Sequence, residues 1–453
     1  MSIIYGLLGL SLLVFIHELG HFIAARALGV EVETFSIGMG PVLLRKKIKT
    51  TEYRLSLIPI GGYCGMKGQK DFQFALDNKL DEIRGEKGSF YASNPLRRII
   101  IALSGPLANF VFAIFAFALI SLIGYSFYTS SNKIIIANEV YPELHSTAAE
   151  AGLKTGDRIL AINNKNIHYF SDISDIIAIS ANKVLDITVD REGELFHFQV
   201  LAELDTSSGA GKIGIVNWVN LLITSIQSGS HAESIGFKID DIITAVNGIE
   251  TKNTSDLEKV LNSLKVAELD EPIQFSVKRE NENIVLETDS SLLNDIQNLG
   301  LQFEFFKVHT PKKNIFTAFY SGVKESFKMI GLTFKGIGLL FKGLDPKEAV
   351  SGPLRITLMF GDTVKDGFAA SFSIGLISAL SFLALISISL CIMNLLPIPI
   401  LDGGLILFAT IELISSKQVS PKILYYVQFV GLFLILILFA FALFGDINFI
   451  FKN

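Results

Sequence analysis

His17 and His21 stand four positions apart in the run His17-Glu18-Leu19-Gly20-His21, with a carboxylate directly after the first of them. Positions i and i+4 of an α-helix share one face. Two imidazoles at that spacing can bind one zinc ion, with Glu18 beside them to take a proton from the metal's water. The chemistry this predicts is metal-assisted hydrolysis. A catalytic zinc needs a third protein ligand and an open position. The other five histidines, His145, His168, His197, His231 and His309, lie in one central stretch remote from the motif. A carboxylate is therefore expected as the third ligand, and Asp402 is the leading candidate. It follows Asn394-Leu395-Leu396-Pro397-Ile398-Pro399-Ile400-Leu401 and precedes Gly403-Gly404. The two prolines break a helix there, and irregular backbone at membrane depth is tolerated only around a protein-lined or wet cavity. The paired glycines let the chain turn and approach closely. The competing reading of Asp402 is a helix cap. Glu412 is a rival ligand, and Glu31 and Glu33 are weaker ones.

The elements that must position these residues are apolar. Half of the 453 residues are hydrophobic, and the mean hydropathy is +0.47. Four stretches, about 2–28, 97–124, 368–396 and 422–445, each approach the ~20 apolar residues that span a bilayer. The first is expected to remain as a span rather than be removed as a signal peptide, because it lacks a basic start and a small-residue cleavage site. It also carries the His-Glu-His set, and ionisable residues inside a spanning helix are functional by default. The formal charge of −5 gives no hint of nucleic-acid binding. Cys64 and Cys391 read as buried apolar side chains rather than a disulfide.

Twelve Lys and Arg residues between Arg45 and Arg98 put the loop after the first span on the cytoplasmic side. Four spans then place 125–367 outside. That outer region contains a repeat. Gly152-Leu153-Lys154-Thr155-Gly156-Asp157-Arg158-Ile159-Leu160 matches Gly236-Phe237-Lys238-Ile239-Asp240-Asp241-Ile242-Ile243-Thr244, and Val189-Asp190-Arg191-Glu192 echoes Val277-Lys278-Arg279-Glu280. Two copies of one small β-rich unit are expected, and their turn-and-strand pattern looks like PDZ domains. Asp240 stands where the first copy has the turn glycine Gly156, and Asp tolerates the left-handed conformation. The copies act as spacers or filters, or capture a peptide end at a sheet edge. After them, 313–343 is a basic amphipathic stretch. It either lies in the membrane interface or packs on the membrane part, and Gly352-Pro353 then breaks the chain. Glu52-Tyr53-Arg54-Leu55-Ser56-Leu57-Ile58 alternates as a strand. Near the metal, such an edge strand either pairs with an unwound substrate segment or forms a plain structural hairpin.

The His-Glu-Leu-Gly-His run in a first span, paired with Asn394-Leu395-Leu396-Pro397-Ile398-Pro399-Ile400-Leu401-Asp402-Gly403-Gly404 in a later one, resembles the site-2 protease family of intramembrane metalloproteases. Four spans with two PDZ units between the second and third resemble its bacterial RseP group. The likeness implies zinc held by His17, His21 and Asp402, Glu18 as the catalytic base, and Asn394 holding the substrate backbone. It also implies single-pass membrane substrates, of the anti-sigma-factor or remnant-signal-peptide kind, in a bacterial cytoplasmic membrane. Asn109, in a further family-like run from Ser104 to Phe110, reads as a helix-packing residue. The expected fold is a polytopic α-helical membrane protein divided at 1–124, 125–210, 211–308, 309–367 and 368–453, with the PDZ units second and third. Two other classes remain, a metal transporter and an inactive adaptor working through its PDZ pair. The single ligand cluster and the full set of catalytic positions weigh against both.

Overall fold

The computed structural model describes residues 2–205, 209–266, 272–280, 282–288, 299–340 and 352–452. It falls into two compact units, one of Met1–Tyr125 with Thr310–Asn453 and the other of Ser126–His309.

The first unit contains, in chain order, α1 (Ser2–Ala27), strands β1 (Val32–Ile48) and β2 (Thr51–Met66), α2 (Gln69–Asp77) and α3 (Pro95–Ile123). After the second unit come α4 (Ile315–Leu340), α5 (Pro353–Ala370), α6 (Phe372–Asn394), α7 (Asp402–Ser415) and α8 (Pro421–Lys452). Four of these, α1, α3, α6 and the 421–447 part of α8, are long and apolar enough to cross a membrane. They coincide with the four stretches expected. Asn94 caps α3 by accepting from the Leu96 N–H, and Pro95 opens its first turn, where no helical partner for an N–H exists anyway.

Close packing of α1 follows from its glycines. A Cβ on Gly20 would stand 2.3 Å from the Ser104 carbonyl oxygen of α3, so α1 and α3 touch backbone to backbone. Gly6 makes the same kind of contact with the Thr357 carbonyl of α5, and Gly9 leaves room for the Phe360 ring of that helix. The start of α5 is capped from α8, because the buried Asp446 carboxylate accepts from the N–H groups of Gly352, Leu354 and Arg355. An anionic group there satisfies donors that a helix start leaves open.

Of the two arrangements open for the amphipathic stretch, α4 takes the packed one. Its Phe319 and Phe327 rings meet Phe115 and Phe110, so it runs antiparallel along α3. Gly322 admits the Ile114 carbonyl, and Met329, Ile330 and Ile337 join the core formed by α3 and α6. Lys324, Lys328 and Lys335 stay on the exposed face. Lys342, also assigned to this stretch, lies outside the described residues. A separate helix over Pro353–Ala370 was not anticipated, because its apolar face is interrupted by Arg355, Asp362, Lys365 and Asp366.

Among its described residues the second unit holds two larger antiparallel sheets, of five and four strands, each the centre of its own core. One orders Lys165–Asn166, Arg158–Ile162, Lys183–Arg191, Glu194–Leu204 and Gly211–Lys212. The other orders Ile249–Glu250, Ile242–Val246, Ile273–Arg279 and Glu282–Thr288. The repeat is physical as well as textual. Asp157 pairs with Arg191 in one module and Asp241 with Arg279 in the other, both at 2.7 Å. Each aspartate also accepts the N–H three residues earlier. Asp240 holds φ +72° where Gly156 holds φ +99°, in keeping with the left-handed turn expected of it. The expected boundary at 210/211 cuts through the first module: Gly211–Lys212 pairs with its long strand, Ile213 sits in its core, and Ile215–Asn217 pairs with Ile134–Ile136. The Ser- and Gly-rich 207–214 run, with three glycines, hid that return strand.

Trp218, the chain's only tryptophan, is buried in this unit against Lys133 and reports its unfolding. Burial by itself raises the Asp241 carboxyl pKa, but Arg279 and the Lys238 N–H outweigh it and hold the carboxyl below its ordinary range. Its contribution is thus complete above about pH 4 and is lost as pH falls through the lowered value. Asp241→Asn is expected to cost about 2–3 kcal/mol in urea unfolding followed by Trp218 fluorescence at pH 7. The gap to wild type should narrow on acidification.

Candidate active site

The site lies where α1, α3 and the start of α7 meet. His17 and His21 are buried on one face of α1, and Asp402 opens α7 just after the Pro397 and Pro399 break. His17 Nε2 is 3.1 Å from Asp402 Oδ2 and His21 Nε2 is 3.3 Å from Asp402 Oδ1. The two Nε2 atoms are 3.2 Å apart. Among the described residues this is the one set of three or more His, Cys, Asp or Glu groups close enough to hold a metal, with ligand atoms within 4.8 Å of one another.

The donor set fits a metal better than it fits a hydrogen-bonded cluster. Asp402 Oδ2 is buried and, despite its nearness to His17, lines up no hydrogen bond. His21 Nδ1 lies 2.8 Å from the Ile101 carbonyl oxygen. That nitrogen carries the proton and donates, which leaves the Nε2 lone pair aimed at the cluster. Two imidazoles and one carboxylate form a three-ligand set of the kind catalytic zinc uses, with a fourth position open.

Glu18 stands half-buried beside the cluster, and its Oε2 accepts from the Cys64 N–H at 2.9 Å. Residues 34–37 of β1 pair on one side with 62–65 and on the other with 52–55. The stretch beside Glu18 is therefore 62–65, whereas the strand first singled out, 52–58, lies within the sheet; the fold at Pro59 and Gly61 carries β2 around. Gly61, with φ +90°, takes a turn that a side chain would strain.

His17, Glu18, His21, Asn394 and Asp402 line one cavity of about 700 Å³, together with Tyr63 and Cys64 of β2 and Tyr425 and Gln428 of α8. All five residues singled out from sequence thus meet at one place. The rival carboxylates do not. Glu412 is buried against Arg98 and accepts the Val419 N–H. Glu31 and Glu33 stand outside the metal-capable group. Both cysteines are free.

The chain matches Peptidase family M50 over residues 5–438. It belongs to that family. A Treponema pallidum protein named "Putative zinc metalloprotease" is 42% identical to this M50 peptidase over 451 residues, covering 99% of both chains. "Protease RseP" of Yersinia pestis is 30% identical over 99% of both chains. "Regulator of sigma E protease" of Haemophilus influenzae is 29% identical over 97% of both.

Two contributors to the site were missed in the sequence. Asn109 is not only a packing residue, since its Nδ2 lies 3.3 Å from His17 Nδ1. Gly105 of α3 faces both imidazoles: a Cβ there would stand 2.3 Å from His21 Nε2 and 2.9 Å from His17 Cε1. The available signal was the spacing of Ile101, Gly105 and Asn109, which puts them on one helical face. Gly105→Ala is expected to displace both imidazoles. Metal analysis of the purified M50 peptidase should then show its bound divalent metal reduced about 10-fold or more, the scale of loss when ligand orientation is disturbed.

Proposed function

We propose that this M50 peptidase is an intramembrane zinc metalloprotease that cuts membrane-protein substrates within or next to their spanning segments. The observation carrying this reading is the convergence of His17, His21 and Asp402, with Glu18 beside them, between helices long and apolar enough to cross a membrane. In this reading the two histidines and Asp402 hold the zinc. A zinc ion held there would polarise the scissile carbonyl and would lower the pKa of a water toward ~7. Glu18 takes a proton from that water and delivers it to the leaving amine nitrogen. The Cys64 N–H holds Oε2 of Glu18 still during this exchange. Asn394 donates its side-chain amide to the substrate backbone across the cavity.

A helical substrate hides its carbonyls in internal hydrogen bonds, so it must be extended before Glu18 can act on it. The 62–65 stretch is the segment suited to hold an extended chain, since it lies at the cavity wall next to Glu18. The two modules of the second unit are PDZ-like domains, divided near Trp218, on the extracytoplasmic side of a bacterial inner membrane. The basic residues between Arg45 and Arg98 support that orientation. A relative named for sigma E regulation favours an anti-sigma factor as one substrate class; remnant signal peptides are the other class implied by the resemblance.

In this reading Glu18→Gln keeps the three ligands and removes the base. Purified protein should retain stoichiometric zinc while cleavage of a single-pass substrate falls by at least about 10²-fold. Asp402→Ala should lose both zinc and cleavage. Unchanged cleavage by the Glu18→Gln enzyme would overturn the proposed role of Glu18.

A further inference from the structure

One face of α3 serves the two histidines. Ile101 offers its carbonyl to His21 Nδ1 at 2.8 Å, Gly105 leaves room for both rings, and Asn109 meets His17 Nδ1 at 3.3 Å. These positions are i, i+4 and i+8 of one helix, so they lie in a row along the α1 contact.

The Asn109 contact has two chemical forms. If the amide NH2 donates to Nδ1, the His17 proton sits on Nε2 and points at Asp402, where it blocks metal ligation. If the amide is turned by 180° about its last bond, Oδ1 accepts a proton from Nδ1, and the Nε2 lone pair faces the cluster. The heavy-atom outline is the same in both forms, because amide oxygen and nitrogen are nearly alike in size. Asn109 is fully buried, and the other terminal atom of its amide, Oδ1 as placed, meets no hydrogen-bond partner, so the contact with His17 is what decides which way the amide faces. Its backbone is fixed as well, since Ser387 Oγ of α6 donates to the Asn109 carbonyl at 2.9 Å. The side chain is thereby held against His17 and kept out of water's reach.

We infer that Asn109 is a positioning residue for the metal: its amide oxygen accepts from His17 Nδ1–H and so fixes the tautomer and ring orientation that present Nε2. His17 then has from a side chain what His21 has from the Ile101 carbonyl. A metal-bound histidine commonly donates its other N–H to a carbonyl or carboxylate in this way. The inference rests on the zinc-site reading above.

Zinc affinity, measured on the full-length protein in detergent by competition with a chelator, tests it without recourse to cleavage. Asn109→Leu keeps the branched outline, with more bulk, and removes the acceptor; Asn109→Asp keeps an acceptor at the same place. The Leu variant should bind zinc about 10–100-fold more weakly, and the Asp variant should stay near wild type. Thermal unfolding of the metal-free proteins is expected to give similar midpoints for wild type and the Leu variant. If Leu binds zinc as tightly as wild type, or Asp as weakly as Leu, the positioning role is overturned. The site reading fails separately: wild-type protein without zinc binding, or a His17→Ala variant with undiminished binding, would remove both.

Discussion

The distance between α1 and α3 governs the arrangement of the membrane unit. Two imidazoles and a carboxylate carry polar atoms that are costly to bury among apolar helices unless each finds a partner. Partners come within reach only because the helices touch. Gly20 brings α1 onto the Ser104 carbonyl, and Gly105 lets the His17 and His21 rings occupy space that any side chain would fill. Without that contact, the Ile101 carbonyl and the Asn109 amide would stand too far away to orient either ring. The glycines cost helix propensity, about 1 kcal/mol each, and in exchange the two histidines have a fixed geometry.

Asp402 reaches the cluster by a different device. The chain leaves α6 at Asn394, is broken by Pro397 and Pro399, and re-enters a helix at Asp402. Gly403 and Gly404 fold back onto this broken segment so tightly that a Cβ on either would fall within 2.4 Å of a carbonyl oxygen of Leu396, Leu395 or Ile398. Further along α7, Glu412 binds Arg98 of α3. Both ends of α7 are thus referred to α3, Asp402 through the histidines and Glu412 through the ion pair. A buried pair of this kind is weak evidence for stability, but it fixes the azimuth of α7 and with it the aim of Asp402.

Much of this was legible in the sequence, for reasons that differ by element. The spans were readable because bilayer thickness sets their length. The two histidines and Glu18 were readable because they share a helix, so spacing alone gives their geometry. Asp402 needed the added clue of a proline-broken helix followed by paired glycines. Asn109 was read as a packing residue alone because its contact with His17 depends on which neighbour α3 acquires, and no pattern within α3 names that neighbour. The same limit hid the course of β2. Residues 52–58 alternate well, but which stretch lies next to Glu18 depends on the fold at Pro59 and Gly61, a long-range event. The packing of α4 was undecided because an amphipathic face suits a lipid interface and an apolar helix equally well.

His17 and His21 are oriented by acceptors of different kinds, and that difference has consequences. The Ile101 carbonyl belongs to the backbone of α3; it also accepts from Ser104 Oγ at 2.6 Å, and its two lone pairs accommodate more than one donor. No substitution at position 101 removes it. Its service to His21 is lost only if α3 shifts or bends, so it is protected by the residues that hold the helix contact, above all Gly20 and Gly105. The acceptor for His17 is a side chain, so it is exposed to single substitutions in a way the other is not. The two histidines on one turn of α1 thus depend on α3 through separate routes, one through the rigid-body placement of the helix and one through the chemistry of a single amide.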